Sequence, residues 1–363
     1  MENGKRRTEN GKWRTNQFSA FRFPFSVLLL CLLLSSCKPE INIYADYKEI
    51  PIVYGLIDVN DDTNFVRINR AFYVEKENSD DINGTTILYD SCNFPGKLNA
   101  YFEELISSQG EAFHPTGRKL VLDTLTKRIK LYYTTERFNT SNSNYKYRYK
   151  LYVITPDADT ATSETGIVKG DITINTPTPD YVTNTPLMNF KPLDSDEINT
   201  LDFSSTEEAV LYEIVIHFNY REGHTGQPLV KKEVSWSYGL RHLLVYESIP
   251  GSDFYRLYYP ARDLFKALEL AIGNDTVWDM NHPNVVRYYD GVDVAISAAG
   301  EEFYNYYQLS ELLQQDIGAS LEYSNINGGY GILSSRTVVR NTSGITPRAK
   351  VDLFQMPWGF REQ

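Results

Sequence analysis

The sequence feature that most restricts the fold is a strict two-residue alternation from residue 145 to residue 154. Tyr145, Tyr147, Tyr149, Leu151 and Val153 alternate with Lys146, Arg148 and Lys150. Successive side chains of a β-strand point to opposite faces of its sheet, so this pattern predicts a half-buried strand with a basic outer face. Tyrosine occurs 27 times in the chain, and aromatic side chains favour strands. We therefore expect a fold that is mainly β.

Other short runs between turn residues extend this prediction over the first half of the chain. The expected strands are 50–57, 64–73, 97–106, 118–122, 128–134 and 163–169. In the first of them Ile50, Ile52, Tyr54 and Leu56 form the apolar face, and in the second Val66 and Ile68 point inward. Pro51 cannot donate to a strand ladder, which predicts an edge position for the first strand. Residues 49–175 are therefore expected to form an immunoglobulin- or fibronectin III-like β-sandwich.

The second half of the chain has a different composition and two kinds of periodicity. Residues 176–200 are rich in Pro and Thr, which is typical of a semi-rigid linker. Residues 201–363 are expected to form an α+β domain. It begins with a hairpin whose strands present Tyr212, Ile214, Ile216, Phe218 and Tyr220, then Val234, Trp236 and Tyr238.

Helical spacing appears twice within this second domain. After Pro260, Leu264, Phe265, Leu268, Ala271 and Ile272 recur at helical intervals, and Gly273 ends the segment. A second helix is predicted over 301–315 with Phe303, Tyr306, Tyr307 and Leu313 inward. A strand at 285–297 and strand-like sequence over 321–354 complete the prediction of a sheet that carries two helices.

An apolar run near the N-terminus determines where we expect the protein to be located. Basic residues precede about a dozen apolar residues, which are too few to span a bilayer, and small residues follow. The segment Leu34-Ser35-Ser36-Cys37 resembles a bacterial lipobox. We expect residues 1–36 to be a signal peptide with a long basic leader, Cys37 to be lipidated, and 37–48 to be a tether. A buried helix, a plain secretory signal and a true start codon downstream of Met1 remain as alternatives.

Charge and cysteine content limit the partners and the means of stabilisation. The leader carries six Lys/Arg and two Asp/Glu, so its removal changes the formal net charge from −11 to −15. Such an acidic chain disfavours nucleic acid as a partner. Once Cys37 is acylated, Cys92 is the remaining cysteine, and no intramolecular disulfide is expected.

Three segments resemble a family of uncharacterised Bacteroidota lipoproteins. They are the lipobox, Ile52-Val53-Tyr54-Gly55-Leu56-Ile57 with Val66-Arg67-Ile68-Asn69-Arg70-Ala71-Phe72, and Asn325-Ile326-Asn327-Gly328-Gly329-Tyr330-Gly331-Ile332. The resemblance implies an outer-membrane lipoprotein of unknown function, typically encoded beside TonB-dependent receptors. Lys38-Pro39-Glu40 partly resembles the export signal to the cell surface, which favours a surface-exposed location and leaves a periplasm-facing one open. The family implies no catalytic residues.

Two groups of polar residues have side chains of the types that bind metal ions. Asp58, Asn60, Asp62 and Asn64 alternate as in a calcium loop, but the required glycine is missing and Asn69 replaces the closing glutamate. A solvated hairpin turn is the favoured interpretation. His217 lies opposite the apolar face of its strand, where pairing with a carboxylate is favoured over metal binding. We predict no metal site and no cofactor.

Motifs for nucleophilic catalysis give no site either. Ser143 and Lys146 have Ser-x-x-Lys spacing but lie where a loop enters a strand, and the chain has no Gly-x-Ser-x-Gly elbow. Cys92 has no basic neighbour in sequence to activate it. Gly328-Gly329 predicts a turn or bulge rather than a phosphate loop, because no Lys-Ser/Thr follows. We predict no catalytic residue, and the chain is expected not to be an enzyme.

Tyrosines of the second half are the candidate binding residues. They are Tyr255, Tyr258, Tyr259, Tyr288, Tyr289, Tyr304, Tyr306 and Tyr307. Exposed tyrosines could stack on sugar rings or form an interface, whereas a sheet with helices also needs bulky core residues. The leading hypothesis is an accessory component of a TonB-dependent receptor or another envelope assembly. The alternatives are a surface glycan- or nutrient-binding lipoprotein that uses exposed aromatics, and an enzyme with an unrecognised site.

Overall fold

The structure is a computed structural model that is mainly β with three helices among the residues it describes. Those residues are 49–71, 92–96, 98–108, 110–126, 130–182, 184–224, 227–273, 285–314 and 323–362, and for 224 and 312–314 only the backbone is described. Cys37 and the predicted signal peptide and tether lie outside them. Residues 49–363 form one compact unit. No helix in these ranges is both long and apolar enough to cross a membrane.

Eighteen strands are present in the described ranges. In chain order they are β1 (Pro51–Asp58), β2 (Asn64–Arg70), β3 (Asn99–Ser108), β4 (His114–Val121), β5 (Asp123–Thr126), β6 (Lys130–Thr134), β7 (Tyr145–Ile154), β8 (Thr160–Gly166), β9 (Ile174–Thr176), β10 (Leu187–Met188), β11 (Ile198–Ser204), β12 (Leu211–His224), β13 (Val230–His242), β14 (Glu247–Ser248), β15 (Phe254–Pro260), β16 (Val285–Ala299), β17 (Tyr330–Ile345) and β18 (Phe360–Arg361). A short 3-10 helix spans Leu243–Val245.

These strands form one large sheet and two small ones. The large sheet has ten strands in the order β13-β12-β16-β17-β1-β2-β6-β5, with β10 paired to β17 and β18 paired to β16. The smaller sheets have the orders β14-β15-β11-β9 and β4-β3-β7-β8. The pairing of β1 with β17 is parallel and joins the two ends of the described chain. The large sheet therefore takes strands from both sides of the predicted linker.

Three helices are present in the described part of the chain. The first, α1 (Asp263–Ile272), buries Leu264, Phe265 and Leu268, as its helical spacing predicts. The second, α2 (Glu301–Gln314), occupies the predicted second helix. The third, α3 (Pro347–Gln355), begins after Thr346, whose hydroxyl accepts a hydrogen bond from the Ala349 N–H at 3.3 Å.

The described residues form two hydrophobic clusters, which divide close to Ile167 and Val168. The first takes its residues from 53–167 together with Ile326 and Leu333, and the second from 168–360. Strand β17 contributes to both, since Leu333 belongs to the first cluster and Ile345 to the second. The predicted linker, 176–200, contains β10 and the first residues of β11. The predicted domain boundaries stay a prediction.

The strand predicted from alternation is present with the predicted bounds, Tyr145–Ile154. Tyr149, Leu151 and Val153 are buried, whereas Tyr145 at the strand's end is 46% exposed. The strands of the predicted hairpin are β12 and β13, and all five predicted inward residues of β12 are buried. Two-residue periodicity was therefore a reliable guide here, because one sheet face packs on a core and the other does not.

The prediction of an edge position for the first strand is wrong. Strand β1 lies inside the large sheet, between β17 and β2. Pro51 is tolerated because it is the first residue of the strand, a position compatible with a missing N–H. The predicted inner face is also wrong, since Val53 and Ile57 are buried while Tyr54 is 44% exposed. Both faces of this strand are apolar, so the alternation alone was ambiguous.

The prediction of strand-like structure throughout the tail is wrong in its last part. Residues 347–355 form α3, a third helix, after β17. Pro347 at the start of a helix and the Thr346 cap are helix signals that the strand-like stretch before them obscured. In α2, Tyr306 is 36% exposed rather than inward. The side chain of Leu313 lies outside the described residues.

Candidate functional site

A groove between β13 and α1 is the candidate site. Its cavity has a volume of about 580 Å³, within the range of small-ligand pockets. The residues that line it are Glu233, Val234, Ser235, Trp236, Ser237 and Tyr238 from the strand, and Asp263, Lys266, Ala267, Leu270 and Ala271 from the helix. We call this cavity the edge groove.

The strand wall of the edge groove consists of six consecutive residues, 233–238. Alternate side chains of a strand point to opposite sheet faces, so a groove over one face would be lined by every second residue. Val234 and Trp236 pack on the second cluster, whereas Ser235 is exposed. A groove that contacts both sets runs along the backbone edge of the strand.

The edge that faces the groove has no strand partner among the described residues. Strand β13 ends the order of the large sheet and pairs with β12 alone. Natural sheets blunt such edges with lysines and bulges. Here Lys231 and Lys232 precede the groove, and a bulge at Gly239, with φ of 83°, follows it. The stretch 233–237 between them carries neither device.

The helix wall places an apolar ridge opposite this edge. Helix α1 buries Leu264, Phe265 and Leu268 in the second cluster. Another side of the helix, with Ala267, Leu270 and Ala271, lines the groove. Leu270 is 65% exposed. A leucine that adds nothing to the core and stands over an unpaired strand provides apolar surface for a ligand. Lys266 adds one positive charge to this wall.

A hydrogen-bonded polar group lies at one end of the groove. Trp236 Nε1–H donates to Tyr238 Oη at 3.0 Å, and the Tyr238 hydroxyl donates to the Asp263 carboxylate. Burial raises the pKa of Asp263 above its ordinary value, and the Tyr238 hydrogen bond opposes that shift. Burial also raises the pKa of Tyr238. The tyrosine therefore stays a neutral donor that holds Asp263 in place.

A second polar group lies on the solvent side of the groove. His217 Nδ1 is 2.8 Å from Glu233 Oε1 and 2.9 Å from Ser235 Oγ, and the Ser235 hydroxyl donates to Glu233 at 2.6 Å. The prediction that His217 pairs with a carboxylate is confirmed. Hydrogen bonds from Ser235 and then His217 lower the pKa of Glu233.

This group has the residue types of a catalytic triad but not its geometry. In a triad the two ring nitrogens serve different partners, the nucleophile on one side and the carboxylate on the other. Here the same nitrogen, Nδ1 of His217, lies against both Ser235 and Glu233. The carboxylate also accepts the serine proton directly. The arrangement orients Glu233 at the rim and does not activate Ser235.

Three of the eight predicted tyrosines lie on β15 and differ in exposure. Tyr259 is 2% exposed, Tyr255 is partly buried with its ring 6.3 Å from that of Phe203, and Tyr258 is 51% exposed. The Tyr258 hydroxyl donates to Glu247. Neighbouring residues of one strand point to opposite faces, which separates Tyr258 from the other two.

The other five predicted tyrosines lie on β16 and α2. Tyr288, Tyr289, Tyr304 and Tyr307 are partly buried, and Tyr306 is exposed. Tyr289 Oη accepts a hydrogen bond from the Ile345 N–H at 3.2 Å, and burial raises its pKa to about 12. Tyr307 donates to Glu311, which raises the pKa of the tyrosine. In the described part of the chain no ring contact joins two of the eight.

The residues that belong to the other sequence motifs have structural roles. Asp58 and Asn64 close the β1–β2 hairpin, with the Asp58 N–H donating to Asn64 Oδ1 at 2.7 Å. Lys146 pairs with Glu207 rather than with Ser143. Gly328 lies in the turn before β17, as predicted. Within the described ranges no three His, Cys, Asp or Glu residues are grouped to hold a metal ion.

The edge groove is a site that the sequence did not predict. Both of its elements were predicted, but the approach of α1 to the outer edge of β13 is a contact between segments remote in sequence. Leu270 was the available signal, because it falls outside the buried helical spacing of α1. No protein-family model matches the chain, and no curated protein matches it.

Proposed function

We propose that the protein is a lipid-anchored outer-membrane binding protein that serves as an accessory component of a TonB-dependent receptor or another envelope assembly. We further propose that the edge groove binds an extended segment of that partner as an added strand. The observation that carries this proposal is the groove along residues 233–238, on an edge of the large sheet with no strand partner in the described ranges. Strand addition at such an edge is an established mode of peptide recognition.

The chemistry of the two walls defines the bound segment. Backbone groups of 233–238 would supply ladder hydrogen bonds to an extended polypeptide, a ligand with repeating donors and acceptors at the same spacing. Ala267, Leu270 and Ala271 favour an apolar side chain on the helix side of the segment. The rim carboxylate of Glu233 favours a donor or a basic side chain on the solvent side.

The anchoring part of the proposal rests on the N-terminal sequence. The apolar run, the lipobox at Cys37 and the resemblance to Bacteroidota lipoproteins support lipidation, outer-membrane location and surface exposure. We also propose that the first cluster, with its sheet β4-β3-β7-β8, belongs to an immunoglobulin- or fibronectin III-like sandwich. Packing of alternate residues of β7 in that cluster supports this finer assignment.

The two alternative functions have less support. For glycan binding by the predicted tyrosines, the exposed pair Tyr258 and Tyr306 lies on separate elements, β15 and α2. For an enzyme, the carboxylate and histidine that are paired at the edge groove are Glu233 and His217, and the contact of one histidine nitrogen with both Glu233 and Ser235 does not suit catalysis. The binding role through the edge groove is therefore the function that we propose.

The variant Leu270→Glu tests the proposal on the full-length protein. A carboxylate on the helix wall would remove apolar contact and should weaken partner capture by about tenfold or more. Tagged protein is purified from detergent-solubilised outer membrane, and a photo-crosslinking residue at position 270 identifies what lies in the groove. A stoichiometric β-barrel receptor that is crosslinked at 270, and that Leu270→Glu no longer captures, is the expected result.

The control variant is Leu244→Glu, at a leucine that is 80% exposed and outside the groove. It should capture the receptor as the unaltered chain does. Equal capture by the Leu270 and Leu244 variants would rule out the groove as the binding site. Purification of the unaltered protein without any receptor would contradict the accessory role itself.

A further inference from the structure

Four aromatic side chains lie in a row across four adjacent strands of the large sheet. They are Tyr330 on β17, Tyr54 on β1, Phe65 on β2 and Tyr133 on β6. We call them the aromatic row. None of them lines the edge groove or belongs to the eight tyrosines considered above.

Strand register puts the four residues on one face. Tyr330 pairs with Ile52, which is two residues from Tyr54 and so points to the same side. Tyr54 pairs with Arg67, which is two residues from Phe65. Phe65 pairs directly with Tyr133. Residues that pair across strands share a face, so the row is continuous from β17 to β6.

The same register gives the spacing of the row. Tyr330 and Tyr54 are diagonal neighbours on parallel strands, and Tyr54 and Phe65 are diagonal neighbours on antiparallel strands, where such neighbours are about 7–8 Å apart. The ring centroids of Phe65 and Tyr133 are 6.1 Å apart. The row is therefore a series of aromatic positions on neighbouring strands, with Phe65 and Tyr133 in ring contact.

The row lies on the face of the sheet that is turned away from the core. Val53 and Val66, which alternate with row residues on the same strands, are fully buried in the first cluster. Tyr330, Phe65 and Tyr54 are 49%, 46% and 44% exposed. The solvent face of a sheet normally carries polar side chains. Adjacent exposed aromatics that the core does not need therefore mark a binding surface.

We propose that the aromatic row binds a carbohydrate chain by stacking of sugar rings on the aromatic side chains. Half-exposed aromatic rings on neighbouring strands suit an extended ligand with flat apolar C–H faces. Sugar hydroxyls also need hydrogen-bond partners beside the rings, and exposed Arg67 lies directly opposite Tyr54. Its Nε donates to Asn69 Oδ1 at 2.6 Å, which holds the guanidinium against β2.

Charge and surface shape argue against two other occupants of the row. An anionic lipid surface attracts clusters of basic residues, whereas the chain has a net charge of −11, which disfavours such a surface. A protein partner binds most strongly through side chains that fill well-packed pockets. The half-exposed rings of the row offer a stacking surface instead. This inference is independent of the edge groove.

Native affinity electrophoresis of the full-length protein in detergent tests the proposal. The gels contain hydroxyethyl cellulose, xylan or yeast mannan, and retardation relative to a polymer-free gel measures binding. We expect at least one polymer to retard the unaltered chain. Tyr54→Ala and Phe65→Ala should each weaken that binding by roughly three- to tenfold, because each loses one stacking ring. Tyr54→Phe keeps the ring and should bind nearly as the unaltered chain does.

The control variant is Tyr145→Ala, at a tyrosine of similar exposure on β7, in a different sheet. It should leave retardation unchanged, and circular dichroism should show every variant folded. No retardation by any of the three polymers would overturn the proposal, as would retardation that Tyr54→Ala and Phe65→Ala leave intact. Tyr54-dependent binding to phosphatidylcholine–phosphatidylglycerol vesicles without polymer binding would assign the row to lipid and overturn it as well.

Discussion

At the scale of single residues, Gly331 allows β1 and β17, which are far apart in sequence, to pair. It is the second residue of β17, lies beside Val53 of β1 and has φ of 112°, a conformation that L side chains rarely adopt. A Cβ atom at this position would overlap the carbonyl oxygen of Val53. The parallel pairing of β1 with β17 therefore requires glycine here.

We predict that Gly331→Ala lowers the free energy of unfolding by more than about 4 kcal/mol, because the two strands must separate as well as accept a strained backbone. Urea denaturation followed by tryptophan fluorescence measures this change. Gly110→Ala is the control, since Gly110 also has positive φ but nothing lies within 4 Å of the added atom. It should lower the stability by about 1–2 kcal/mol. Equal losses would contradict the role given to the close approach.

At the scale of elements, an ion pair links β11 to β15 across one sheet. Asp202 and Arg256 are paired in the strand register, and Arg256 Nε and Nη2 donate to the two carboxylate oxygens at 2.7 and 2.9 Å. These hydrogen bonds lower the pKa of Asp202 below its ordinary value of 3.8. Asp202 is buried and Arg256 is about one-third exposed. The bidentate geometry therefore strengthens the strand pair.

We predict that Asp202→Asn lowers the free energy of unfolding at pH 7 by about 1–2 kcal/mol. The lowered pKa means that the carboxylate stabilises the folded state above about pH 3.8, the unfolded value. That contribution is lost as the pH falls through the lowered folded pKa. The difference between the variant and the unaltered chain should therefore shrink toward acid pH in urea titrations.

The control for that experiment is Asp196→Asn, whose carboxylate pairs with Arg262 but is 94% exposed. Exposed pairs contribute little, so its stability should be unchanged at either pH. A loss at pH 7 that persisted unchanged at acid pH for Asp202→Asn would show that charge is not the cause.

Whether the sequence predicted an element correctly depended on the packing of that element against others. The alternation of Tyr145–Ile154 predicted β7 because one face packs on a core. The Pro51 argument failed because a proline at the first position of a strand is compatible with an interior strand. The edge groove could not be predicted, since the distance between 233–238 and α1 depends on contacts remote in sequence.

At the scale of the whole molecule, β17 connects the two hydrophobic clusters. Its Leu333, which is fully buried, packs in the first cluster, and its Ile345 packs in the second. In addition, Ser335 Oγ donates to the Gly166 carbonyl at 2.7 Å and accepts from the Val168 N–H at 2.9 Å. These hydrogen bonds join residues 166–168, where the two clusters divide, to β17, which contributes to both clusters.

We predict that the described unit unfolds in a single calorimetric transition and that Leu333→Ala lowers the midpoint of all of it. The loss of stability should be about 2–5 kcal/mol, because the substitution leaves a cavity in the first cluster. Leu244→Ala, at an exposed leucine, should leave the midpoint within error. Two transitions, of which Leu333→Ala shifts one, would contradict this prediction and support two independently folding domains.

The sequence by itself determined the local elements of this protein. Two-residue alternation specified β7 and β12, helical spacing specified α1 and α2, and the apolar run before Cys37 indicated export. These follow from interactions between residues close in the chain, whose periodicity is visible without knowledge of the fold. The family resemblance and the lipid anchor stay predictions.

Only the tertiary structure decided which strands became neighbours. The parallel pairing of β1 with β17 reversed the inner face expected for the first strand and exposed Tyr54 beside Phe65 and Tyr330. The packing of α1 beside β13 created the edge groove. Both outcomes arise from contacts between segments far apart in sequence, and a local hydrophobic pattern does not specify its partner when both faces of a strand are apolar.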